Sequence, residues 1–322
     1  MIAIQDVWKA KKRIASLVGR TPLLHCPALS DRMGGNIHLK LESMHEIGAF
    51  KIRGAANKIL SLSENEQKRG VTTYSTGNHG LAVAYVARQI GIEAVICVSR
   101  RVPKAKADAI RKFGGKLEIY GDSQDEAGRR CLELRKQHGM TIIEPFDDPE
   151  IIAGQGTIGL ELLEDQPSID AAVVPLSGGG LISGIALSLK ANRPDMKVIG
   201  VSMQHSPVMF ESQKAGRPIE MQESDTLADS LLGGIGLENR HTFDMVKKYV
   251  DETILVDETM IADGMTFMME EHRLVTEGAA AVGVGALLHN ILPVSGHNTA
   301  IIISGKNIDL TAFYNVVNAS KS

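Results

Sequence analysis

The chain is poor in several features that would mark a special class of protein. Three cysteines, Cys26, Cys97 and Cys131, are scattered over 322 residues. That odd count has neither the spacing of a disulfide framework nor the close repeats of a zinc site. Aromatic residues make up 4% of the chain, and no cluster of Lys and Arg is interleaved with them. The electrostatic footprint of a nucleic-acid binder is therefore missing. Neither sign of charge dominates, since 35 basic and 38 acidic residues leave a net −3. No apolar run reaches membrane-spanning length without charges. The opening MIAIQDVWKAKKRIASLVG is amphipathic but lacks the apolar stretch and small-residue cleavage site of a signal peptide. These absences predict a soluble, cytoplasmic protein that binds neither nucleic acid nor membrane.

What is present is alternation. No repeat and no low-complexity linker interrupts the chain, and its length suits two lobes. From about residue 71, GVTTYS, EAVICVS, KLEIYG and TIIEPF read as short strands. Between them come helical patterns in HGLAVAYVARQI, stopped by Gly91, and in PKAKADAIRKF, stopped by Gly114 and Gly115. A capping box at Ser123–Glu126 opens a third helix. A second series follows, with helices in EIIAGQGTIGLELLE and LISGIALSLKA and strands in AAVVPL, KVIGVSM and, far downstream, IIIS at 301–304. Strands alternating with helices of this length predict an α/β fold with two open, mainly parallel sheets flanked by helices.

Four stretches carry candidate chemistry. Lys51 stands in GAFKIRGA among small and apolar neighbours, where a strongly hydrated ammonium is out of place. In PLSGGGLISG, residues 175–184, a strand gives way to three glycines and a helix. Glycine N–H groups turned inward at a helix N-terminus suit a phosphate. The spacing is neither that of a Walker loop nor the G-x-G-x-x-G of a dinucleotide fold. STGNHG, residues 75–80, is a polar strand-to-helix loop whose backbone suits a carboxylate. ISGKN, residues 303–307, sets a hydroxyl, Ser304, at a strand end.

An amine, a carboxylate loop, a phosphate cup and a strand-end hydroxyl form the set that pyridoxal 5'-phosphate requires. In this combination, from TPLL at residue 21 through SGKN at 307, the chain resembles the fold type II pyridoxal-phosphate enzymes, the serine/threonine dehydratase and serine racemase group. The resemblance implies a tryptophan synthase β-like fold and a homodimer. It also implies a small domain at 70–147 inserted into a large cofactor-binding domain made of 1–69 and 148–322. It makes Lys51, preceded by Phe50, the Schiff-base lysine and the base. Ser75, Thr76, Gly77, Asn78 and His79 become the substrate-carboxylate loop, with Asn78 also facing the cofactor's 3-hydroxyl. Ser177, Gly178, Gly179, Gly180 and Leu181 become the phosphate loop, and Ser304 the partner of the pyridine nitrogen. Thr76 stands where racemase-like members carry a catalytic serine, so it is a candidate second acid.

Ser304 helps to choose the reaction. A neutral hydroxyl does not compensate a charged pyridine ring, which disfavours long-lived carbanions and suits prompt loss of a β-substituent. The expectation is a lyase that removes the β-hydroxyl of an α-amino β-hydroxy acid and yields a 2-oxo acid and ammonia. Departures from the group's pattern refine this. Ser202 and Val208 stand where racemase-like members carry acidic residues that help bind a divalent cation, so no metal is expected. TLADSLLGGIG at 226–236 has Ala228-Asp229-Ser230 in place of ADG. These runs look most like the hydroxyectoine-utilisation dehydratases, with a threonine/serine dehydratase or a serine-racemase-like enzyme as the alternatives. A dinucleotide dehydrogenase lacks its fingerprint here. A bare phosphate-binding module would not need Lys51, and His25, His45, His79 and His205 lack the spacing of a metal hydrolase.

Overall fold

A computed structural model describes residues 2–319, apart from the Gln124 and Asp125 side chains. The chain divides into two compact units, Met1–Gly19 with His45–Gly154, and Arg20–Met44 with Gln155–Ser322. The 70–147 segment expected as a small domain falls inside the first unit, which also takes in the N-terminal helix Ile4–Ile14 and the helix Lys51–Leu60.

Among the described residues, ten strands form two sheets: β1 Leu23–His25, β2 Ile37–Lys40, β3 Val71–Thr73, β4 Ala94–Val98, β5 Lys116–Ile119, β6 Thr141–Ile142, β7 Ala171–Pro175, β8 Lys197–Met203, β9 Glu252–Val256 and β10 Thr299–Ile302. In the first unit the order is β5-β4-β3-β6, all parallel. In the second it is β1-β2-β10-β7-β8-β9, parallel except for β1 at the edge. This is the two-sheet α/β architecture expected from the alternation. The central strands β7 and β10 are buried along their whole length, as parallel strands covered on both faces must be.

Each unit has its own apolar core. In the first, Ile52, Ala55, Ala56 and Ile59 of the Lys51 helix pack with Ala82, Val83 and Val86 of the helix Asn78–Gln89. In the second, the small-residue helix Gly278–Leu288 packs against the sheet with Leu39, Val173, Val201 and Ile301. A buried lysine is tolerated there because it is paired. Lys40, wholly buried on β2, lies 2.7 Å from Glu161 and donates to the Thr21 carbonyl at 2.8 Å.

One predicted strand is much shorter than expected. TIIEPF predicts a strand over 141–146, yet β6 holds only Thr141–Ile142. Ile143 still donates its N–H to Thr72 at 2.9 Å, but Pro145 has no N–H to continue the ladder. The carbonyls of Ile143 and Pro145 turn instead to side chains described below.

Candidate active site

In the first unit the candidate residues gather at the C-terminal edge of the parallel sheet, where ligands of such sheets bind. Gly48, with φ +74, turns the chain into the helix Lys51–Leu60, so that Phe50 is its N-cap and Lys51 its first residue. A cation is thus fixed at the positive end of a helix dipole, where an anion would be favoured. Lys51 is half-buried, its Nζ donates to the Pro145 carbonyl at 2.6 Å, and it lies 5.2 Å from the Phe50 ring centre.

The loop after β3 carries Ser75, Thr76 and Gly77, all half-buried, into the helix Asn78–Gln89. A helix start leaves its first N–H groups without intrahelical acceptors, which is what a carboxylate ligand needs. The loop folds back tightly on this helix. A Cβ on Gly80 would lie 2.0 Å from the Ser75 carbonyl oxygen, so only glycine fits there. His79 differs from its expected neighbours because its ring is buried and turned to the sheet, with Nε2 2.9 Å from the Ile143 carbonyl. Burial, followed by the Lys51 charge, pushes its pKa down to about 3, so the ring is neutral.

In the second unit, β7 and β10 are neighbours, with Ile301 opposite Val173, so the turns that follow them leave the same sheet edge side by side. After β7 come Leu176 and Ser177, then Gly178 and Gly179, with Gly179 in the left-handed region at φ +86 as N-cap of the helix Gly180–Asn192. Leu181 is buried in its first turn. After β10 comes Ser304, 3% exposed.

Two contributors escaped the sequence reading. Pro145 acts through its backbone oxygen, which no side-chain pattern reveals. Glu277 is buried, and its carboxylate lies where a side chain on Gly305 would have to go, 2.5 Å from a Cβ there. An acid just before the glycine- and alanine-rich helix Gly278–Leu288 was its only signal. Among the described residues no three His, Cys, Asp or Glu side chains gather to hold a metal, and no helix is long and apolar enough to cross a membrane.

Comparison with known proteins agrees with this geometry. The family model described as pyridoxal-phosphate dependent enzyme matches residues 14–305. An L-threonine ammonia-lyase of Thermotoga maritima is 43% identical over 318 residues, which are 99% of this chain and 79% of that protein. Maize serine racemase superposes with a TM-score of 0.92 at 34% identity, covering 99% of this chain and 97% of the other. The processed form of threonine deaminase isoform 2 from Solanum lycopersicum gives a TM-score of 0.91 at 32% identity, covering 99% and 94%. With its lysine, glycine turn and strand-end serine borne on this two-sheet framework, the chain belongs to the fold type II pyridoxal-phosphate-dependent enzymes, as a threonine dehydratase-like lyase.

Proposed function

We propose that this enzyme expels the β-hydroxyl of an α-amino β-hydroxy acid and yields a 2-oxo acid and ammonia. We take its substrate to be the hydroxylated diaminobutyrate skeleton left when a hydroxyectoine ring is opened and deacylated. The observation that carries the reaction class is Ser304, a buried neutral hydroxyl at the end of β10. The other residues present fit the cofactor as well. The left-handed Gly179 turn opens a helix N-terminus suited to a phosphate, and Lys51 supplies an amine that donates to the Pro145 carbonyl.

Pyridoxal phosphate, when bound, supplies an electrophilic carbon for the substrate amine and a sink for the electrons left at the α-carbon. The chain's residues do the rest. Lys51 anchors the cofactor and, once displaced by the substrate amine, takes the α-proton on Nζ. Ser177, Gly178, Gly179, Gly180 and Leu181 hold the phosphate, chiefly through backbone N–H groups. Ser75, Thr76, Gly77, Asn78 and the backbone of His79 would hold the substrate carboxylate, and the Asn78 side chain would also face the cofactor's 3-hydroxyl. Ser304 would face the pyridine nitrogen without adding charge, which favours loss of the β-hydroxyl over long-lived carbanion chemistry. The enzyme acts in the cytoplasm as a homodimer on this reading, and its mass in solution checks the second point.

The choice of substrate rests on the TLADSLLGGIG run. Its Leu227 carbonyl lies against Gly278, where a Cβ would come within 2.1 Å, and the neighbouring Glu277 lies against Gly305, next to Ser304. Leu227, at the start of this run, is thus two contacts from the proposed cofactor site. Threonine or serine is the second reading, favoured by the 43% identity to the Thermotoga L-threonine ammonia-lyase. The test compares kcat/KM, by ammonia release, for threonine, serine and 3-hydroxy-2,4-diaminobutyrate or its acetylated form. A clear preference for threonine would replace the first reading with the second.

A further inference from the structure

Two side chains converge on the end of β6. Ile143 gives its N–H to Thr72, but its carbonyl oxygen accepts from His79 Nε2 at 2.9 Å. Two residues on, the Pro145 carbonyl accepts from Lys51 Nζ at 2.6 Å. His79 directly follows Ser75–Asn78 and lies in the first turn of their helix. A carbonyl only accepts, so Nε2 carries the ring proton and Nδ1 is a bare acceptor, buried without a partner. Protonation would bury a second N–H with nothing to receive it, in keeping with the depressed pKa.

We infer that His79 is a positioning residue: its neutral imidazole, donating from Nε2 to the Ile143 carbonyl, ties the Ser75–Asn78 loop to the strand end that receives Lys51. The inference rests on the reading of that loop as the substrate-carboxylate site. One short, uncharged link then sets the carboxylate site in register with the lysine that works on the α-carbon. It differs from a core-filling role, because leucine would fill the space without donating a hydrogen bond.

The test uses the cofactor-loaded full chain and the variants His79→Gln, His79→Leu and His79→Asn. Binding is read from the change in cofactor absorbance on titration with glycine, which has no β-substituent to lose, and KM and kcat are measured with the β-hydroxy substrate. The glutamine amide reaches about as far as Nε2, so His79→Gln should restore most of the glycine affinity. His79→Leu and His79→Asn should weaken it about tenfold, the size expected for a buried carbonyl left unpaired, and raise KM with little change in kcat. Parent-like affinity in His79→Leu, or a loss in His79→Gln as large as in His79→Leu, overturns the inference. Should His79→Leu fail to fold, the Gln and Asn pair decides, and equal affinities overturn it. A parent enzyme whose spectrum responds to no amino acid overturns the carboxylate-loop reading itself, a failure visible without any variant.

Discussion

Replacing Gly179 with alanine would put a methyl group where both backbone and neighbours resist it. At φ +86 the residue lies in the left-handed region, which costs an L-residue about 1–2 kcal/mol. A Cβ there would lie 3.0 Å from Met209 Cε, 3.0 Å from Thr242 Cβ and 3.2 Å from Val246 Cγ2. Met209 can swing aside, but Thr242 and Val246 are β-branched and buried. Overpacking of this kind adds about 1–3 kcal/mol, so the total is about 2–5 kcal/mol. The protein can lose that stability outright, or relax the turn and swing its N–H groups off the phosphate. Gly216 separates the two contributions, since its φ is +71 and no atom lies within 4 Å of a Cβ there. Gly216→Ala should therefore show only the backbone cost of about 1–2 kcal/mol. Thermal unfolding and cofactor titration by absorbance, run on both variants, give the comparison. Gly179→Ala should lose more stability than Gly216→Ala and bind pyridoxal phosphate at least about tenfold more weakly, if some 1.4 kcal/mol of its cost falls on the turn. Parent-like stability together with parent-like affinity in Gly179→Ala would refute the phosphate-turn argument.

Lys51→Ala should abolish ammonia release and leave the fold intact, because alanine is the best helix former at a position where the cation faces the wrong end of the dipole. Ammonia release near the parent rate would remove Lys51 from the chemistry. Ser304→Ala should be milder, weakening cofactor retention by one hydrogen bond, about 1 kcal/mol net. Ser304→Asp should slow elimination and admit transamination, and an unchanged product spectrum by chromatography would sink the electronic argument. Because Ser202 and Val208 stand where racemase-like members carry acids, a chelator should leave turnover unchanged. A loss that magnesium restores would contradict this.

Features made by a few consecutive residues were legible in the sequence. Gly91 and Gly114 do end their helices with positive φ, and the Ser123 side chain does accept from the Glu126 N–H at 3.2 Å. The Glu126 carboxylate, however, takes the Asp122 N–H rather than closing the capping box on Ser123. The glycine turn after β7 was equally local, since φ +86 at Gly179 is a property of glycine itself. Where side chains and strands meet across long stretches of chain, only the tertiary structure decided. It inserted β10 between β2 and β7, turned β1 antiparallel and cut TIIEPF to two residues of strand. The His79 ring found its partner 64 residues away and the Lys51 amine found its own 94 residues away. Both partners are backbone carbonyls, which every residue carries, so no residue type in the sequence could point to them. The Lys51 side chain stands out in the sequence because it is out of place, whereas the His79 contact arises only where the strand end of β6 closes against it.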